Sequence, residues 1–333
     1  MRRRDFITAF GIAATWPVAA RAQQPARRKR FAFVSPVAAL SEMSLSGLPQ
    51  YRAFFEELSR LGYVEGQNLD VERYSGEGRP EHYSELVRDV VNTHPDVILA
   101  VAARLSLDFK MATTTIPIVT IVNDPIALGL VTSIARPGGN ITGVTIAAEL
   151  EFIGKRIGLL IEAMPKLSSA TYLVSRTYWE DLRGAAAREA AKRAGISLTA
   201  APLDSAFNES EYQSAFRSIE QDRADALIVS DEAEHLANRA TIVELAAKGR
   251  IPTMYAYNEF VRHGGLMAYS IDLPDTFRRL ANLIDKVLRG ANPADIPFYR
   301  PTKFELSINL KTAKVLGLEI PAMLLARADE VIE

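Results

Sequence analysis

Three observations predict an α/β protein built as two doubly wound parallel-sheet lobes. Short β-branched runs alternate with amphipathic stretches at helical spacing from residue 31 onward. The alternation pauses near residue 144 and restarts, giving two arrays of similar size. The segment after residue 256 carries too few strands for a third array, so the chain must cross between the lobes more than once.

The elements follow in order. Phe31–Ser35 reads as the first strand. Leu48, Tyr51, Phe55 and Leu58 then mark one face of a helix that Gly62 ends. Leu69–Tyr74 is a strand, Glu81–Asn92 a helix, Asp96–Val101 a buried strand, Leu105–Ala112 a helix and Ile118–Val122 another strand. A short helix is expected near Leu128–Ala135. The second array opens with a helix from Glu149 to Met164, stopped by Pro165. Ala170–Ser175, Ile196–Ala201, Ala224–Ser230 and Pro252–Ala256 are its strands, with helices between them. A short helix near Glu259–Arg262, the strand GLMAYS, a helix Leu273–Leu288, a strand Lys303–Ser307 and terminal helices complete the chain.

Composition narrows the function. The 333 residues are 48% apolar and 24% charged, with a formal charge of −1, so no basic field for nucleic acid exists. The absence of cysteine excludes disulfides, thiolate metal sites and cysteine nucleophiles. The first residues, MRRRDFITAFGIAATWPVAARAQQ, combine a basic head, an apolar run from Phe6 to Ala20 and the small-x-small triplet Ala20-Arg21-Ala22. That pattern predicts an export signal over residues 1–22, followed by a solvated linker over residues 23–30, and hence a periplasmic protein. Arg3-Arg4-Asp5-Phe6-Ile7 is a partial match to the twin-arginine signal. Residues 1–22 hold four Arg and one Asp, so the remaining chain carries a formal charge of −4.

Two motifs resolve into structure rather than chemistry. ARPGGNITG, residues 135–143, has the glycines of a phosphate loop. Its glycines follow a helix instead of opening one, and no Lys-Ser/Thr pair follows, so it reads as a turn. DEAEH, Asp231–His235, could supply metal ligands but opens a helix, where acids serve as caps. The four histidines form no metal-binding spacing, and no G-x-S-x-G elbow is present. We therefore expect a binding protein rather than an enzyme, with no cofactor and no metal.

Open α/β sheets bind ligands beyond the carboxyl ends of their strands. In the first array that places Ser35, Pro36, Ala102, Ala103, Asn123 and Asp124 at the site. In the second it places Tyr178, Trp179, Asp204, Ser230, Asp231, Tyr257 and Glu259 there. Aromatic rings suit an apolar ligand body, and hydroxyls and carboxylates suit its polar ends.

Several longer stretches carry a resemblance. NDPIALGLVTSIARPGGNITGV, EFVRHGGLMAYS and PTKFELSINLKTAKVLGLEIP, with the terminal LLARADEVIE, resemble the ABC-importer substrate-binding proteins that include tryptophan- and tyrosine-uptake types. The resemblance covers nearly the whole chain. It implies a type I periplasmic-binding-protein fold, with three crossovers near Gly143–Thr145, Ala256–Asn258 and Thr302–Glu305. Lobe one would hold residues 31–144 and 258–302, and lobe two residues 145–257 and 303–333. It also implies a monomer that takes a small-molecule ligand to the membrane subunits of an ABC permease. The export pattern suits two alternatives as well: a sensor component for a membrane receptor or kinase, and a periplasmic hydrolase, against which the missing nucleophile elbow and histidine cluster speak. Three stretches depart from the family pattern: Val101–Leu105, the long loop SPVAALSEMSLSG, and Arg176–Trp179. All fall at the expected pocket, and they leave both an amino acid and an aromatic acid open as ligands.

Overall fold

The computed structural model describes residues 27–146, 149–204 and 207–333, and side chains throughout these except at 149–151. The expected export signal, and residues 23–26 of the expected linker, lie outside the described residues.

The first sheet holds β1 (Lys29–Ser35), β2 (Leu69–Ser75), β3 (Val97–Val101), β4 (Ile118–Val122) and β5 (Ile141–Thr145), in the order β2-β1-β3-β4-β5. Every pairing in it is parallel. The helices α1 (Pro49–Arg60), α2 (Tyr83–Asn92) and α3 (Ala103–Ala112) connect its first four strands. The second lobe opens with α4 (Glu149–Ala163), β6 (Ser169–Ser175), α5 (Arg176–Glu180), α6 (Leu182–Ala194) and β7 (Ser197–Leu203). It continues through α7 (Glu209–Asp222), β8 (Ala226–Val229), α8 (Ala233–Ala237), α9 (Arg239–Lys248), β9 (Thr253–Tyr255), α10 (Asn258–Arg262) and β10 (Met267–Ile271). After α11 (Leu273–Leu288) come β11 (Phe304–Asn309), α12 (Leu310–Leu316), α13 (Ala322–Leu325) and β12 (Glu330–Ile332). The second sheet runs β12-β11-β10-β9-β8-β6-β7, parallel except where β10 meets β11.

Apolar strands explain the layering. β1, β3 and β4 are buried on both faces because helices cover each side. On one side Phe31, Phe33 and Phe54 meet at ring separations of 5.5–5.9 Å, with α11 closing the layer through Phe277. On the other, Val34, Ile98 and Ile118 pack under α2 and α3.

Two expectations need correction. The return to lobe one begins at Asp272, not at residue 258, because β10 adds to β9 as a parallel strand of the second sheet. The second crossover is therefore the Ile271–Leu273 step. The stretch 128–135 is a chain of turns rather than a helix. Asp124 starts it by accepting from Ile126 N and Ala127 N, each at 3.0 Å, and Gly129 follows at φ +68°. Near the third crossover, Tyr299 bridges β5: Thr145 N donates to its carbonyl at 2.8 Å, and Tyr299 N donates to Gly143 O at 2.9 Å. Lys29 and Arg30, placed in the linker from sequence, already belong to β1.

Candidate functional site

A cavity of about 270 Å³ lies between the lobes at the carboxyl ends of the strands. Lobe one gives it an apolar wall of Val101, Ile121, Leu273 and Phe277, broken by Gln50, Tyr51 and Asn123. Lobe two answers with Arg183, Asp231, Glu232, Glu234 and Tyr257.

On the lobe-one side, Ser35 ends β1 fully buried, and its Oγ accepts from Ala38 N at 3.0 Å, which turns the chain over the cleft beside Pro36. Burial pushes the Tyr51 phenol up to about 12, with a hydrogen bond to Ser35 pulling the other way. Ala102 precedes α3 at φ +82° and ψ 153°, a region that favours glycine. Its carbonyl accepts from Ser106 N and Ser106 Oγ, but no side chain caps the helix. The first amides of α3, from Ala103 onward, therefore open into the cleft as donors, at the positive end of the helix dipole. Asn123 follows β4; its carbonyl accepts from Thr145 Oγ1 at 2.6 Å, while its side-chain amide has no hydrogen bond among the described residues.

The lobe-two side is a strip of acids around α8. Glu232 Oε2 accepts from Ser175 N at 2.9 Å and from Ser230 Oγ at 2.7 Å. His235 is fully buried; Nδ1 lies 2.8 Å from the Tyr212 hydroxyl and Nε2 lies 3.4 Å from Glu232 Oε2. Burial alone would push the Glu232 carboxyl up, but His235 and Ser175 outweigh it and hold it at about 2. Glu234 differs. It accepts no hydrogen bond or ion pair from another described residue, and burial followed by the Glu232 charge pushes its carboxyl above the ordinary range. The tyrosine hydroxyl of Tyr257 donates to Asp231 O at 2.6 Å and holds this strip in place.

Of the expected site residues, the structure brings Ser35, Pro36, Ala102, Ala103, Asn123, Asp231 and Tyr257 to the cavity. Asp124 is exposed and caps its loop. Tyr178 is buried against Tyr172 with the Arg183 guanidinium 3.8 Å from its ring centroid, and Trp179 packs beneath Arg188. Both turn away because Arg176–Glu180 is a helical turn packed on lobe two, not an open loop. Asp204 pairs with Arg176 in solvent. Ser230 lies behind Glu232, and Glu259 lines a different cavity. The acids of DEAEH do not cap α8 with their side chains, since Glu232 reaches β6 instead. Sequence reasoning missed Gln50, Tyr51, Arg104, Arg183, Glu232, Glu234 and Phe277. DEAEH signalled the two glutamates, but the helix positions only join the cleft once α1 and α11 pack together.

Comparison with known proteins agrees with this architecture. The family model for ABC transporter substrate binding proteins matches residues 40–332. A curated relative, the tyrosine-binding protein of Clostridioides difficile (strain R20291), is 23% identical over 270 residues, covering 80% of this chain and 76% of the relative. A conserved domain protein from Vibrio cholerae O1 biovar eltor strain N16961 has a TM-score of 0.81 at 23% identity, covering 92% of this chain and all of the other. The L-Trp complex of an ABC domain from Streptococcus pneumonia has a TM-score of 0.80 at 22% identity, with the same coverage. Two parallel-sheet lobes about a cleft, matched over nearly their whole length by this family, make the chain a member of the ABC transporter substrate-binding proteins, with the type I periplasmic-binding-protein fold.

Proposed function

We propose that the cleft captures an aromatic amino acid or a close analogue, a zwitterion with an apolar body, for delivery to an ABC permease. The observation that carries this reading is the chemical opposition of the two walls. Glu234 on lobe two is an acid that pairs with no cation among the described residues, and an ammonium group would satisfy it. The open amides of α3 and the Asn123 side chain suit a carboxylate. Val101, Ile121, Leu273 and Phe277 suit an apolar ring between them. The tyrosine-binding relative and the L-Trp complex support the same ligand class. The chain works as a non-enzymatic, exported, monomeric receptor in this reading.

Calorimetric titration with L-Trp, L-Tyr and L-Phe, each beside its analogue lacking the amino group, tests it. The amino acids bind and the analogues bind at least tenfold more weakly. Glu234→Gln weakens the amino acids by tenfold or more, about 1.4 kcal/mol, and leaves the analogues unchanged. Equal affinity for both series would remove the ammonium from the reading and favour an aromatic acid.

A further inference from the structure

Behind the main cleft, a second cavity of about 270 Å³ sits at the Ile271–Leu273 crossover, separated from the cleft by those residues. Its walls come from both lobes: α10, β10 and β11 on one side, and the first turns of α11 on the other. Glu259, Asp272 and Glu305 line it with Arg262, Arg278 and Lys303, so its formal charge is zero.

Most of these charges are already spent. Lys303 Nζ donates to Asp272 Oδ2 at 2.6 Å and to Glu305 Oε1 at 3.2 Å. Arg262 pairs with Glu330 at 3.1 Å, and Asn258 Nδ2 donates to Glu305 Oε2 at 3.0 Å. Three polar groups are left. Glu259 is only 6% exposed, and among the described residues its carboxyl accepts a hydrogen bond only from its own backbone N–H. Asn258 is 5% exposed and its Oδ1 has no hydrogen-bond partner among the described residues. Arg278, at the rim on α11, makes no ion pair within 4 Å among the described residues. A buried carboxyl with a single donor and a buried amide oxygen with none each cost free energy until a further donor arrives. Both call for an N–H donor, and the Arg278 guanidinium opposite, which feels Asp272 and Glu57 only at longer range, has room for an anion.

We propose that this hinge cavity is a second small-molecule site, taking a zwitterion whose ammonium group meets Glu259 and Asn258 and whose carboxylate meets Arg278. An overall neutral zwitterion enters a charge-balanced cavity without building up charge, which a simple cation or anion would do. Its two ends join α10 of lobe two to α11 of lobe one, so its binding favours one hinge angle and shifts cleft affinity.

Saturation-transfer NMR on the whole protein with glycine, β-alanine and 4-aminobutanoate as probes tests the proposal. At least one of these probes gives a transfer signal in the parent protein. Glu259→Gln, which keeps shape and removes charge, and Arg278→Ala, at an exposed position, each weaken that signal at least tenfold in titration. Both variants retain the parent melting temperature within a few degrees, so lost binding is not lost fold. Glu234→Gln, in the main cleft, leaves the probe signal in place. A signal lost in Glu234→Gln but kept in Glu259→Gln assigns the probes to the cleft and overturns the proposal. No signal from any probe in the parent makes the cavity a water-filled space and overturns it equally.

Discussion

Glu232 illustrates how one carboxylate can be structural while its neighbour two residues on is chemical. Its oxygen gathers Ser175 N, Ser230 Oγ and His235, so it fastens β6, β8 and α8 together at the cleft floor. Because its folded-state carboxyl is held near 2 against an ordinary 4.5, its contribution is fully present above about pH 4.5 and is lost as pH falls toward 2. Glu232→Gln therefore destabilises the protein at pH 7, by about 1–3 kcal/mol for the charged hydrogen bonds removed, and flattens the acid limb of its stability curve. Urea denaturation at a series of pH values measures both effects; an unchanged acid limb would remove Glu232 from this role. Glu234 shows the opposite arrangement: its own backbone N–H and the nearby His235 offset its burial only in part, and its carboxyl stays above the ordinary range. Asp124 was legible from sequence as a polar residue after a buried strand, yet its carboxylate turned to the two amides that Pro125 places in reach. A short side chain goes to the nearest unsatisfied donors, and only the turn geometry says which those are.

At the scale of elements, ARPGGNITG separates two kinds of glycine. A Cβ on Gly139 would meet nothing within 4 Å, whereas one on Gly143 would sit 2.0 Å from Thr120 O in the neighbouring strand. Gly143 therefore permits β5 to lie against β4, and Thr142 and Gly143 both bind the returning chain, through Ile296 O and Tyr299 N. Gly143→Ala lowers stability by roughly 2 kcal/mol or more through overpacking, while Gly139→Ala changes it by less than about 0.5 kcal/mol. Paired denaturation curves check the contrast, and equal midpoints would sink it. The turn reading of this motif and the identity of β1, β3 and β4 followed directly from hydrophobic runs and glycine chemistry. The absent helix at 128–135 did not, because Asp124, Pro125 and Gly129 set turns that outweigh its apolar residues.

For the whole molecule, the lobes are joined by three passages of chain, and the structure places charged side chains beside two of them. Lys303, just ahead of β11, binds Asp272 at the second crossover. Among the described residues no helix is long and apolar enough to cross a membrane. The basic head and apolar run before residue 23 predict that the exported form begins at Gln23. N-terminal sequencing of protein recovered from the periplasm checks this, and an intact Met1 in that fraction would overturn it.

The sequence by itself determined the two-lobed α/β class, the family and the strand ends that border the cleft. These depend on local periodicity and on motifs, which neighbouring residues in the chain define among themselves. Only the tertiary structure decided that β10 belongs to the second sheet, that Glu234 rather than Tyr178 or Trp179 lines the cleft cavity, and that Glu259 lies behind the hinge. Each of those outcomes depends on which surfaces pack across the lobes. A strand such as GLMAYS can extend either sheet by its own pattern, and the direction of a side chain at a strand end is set by the helix or loop that packs against it.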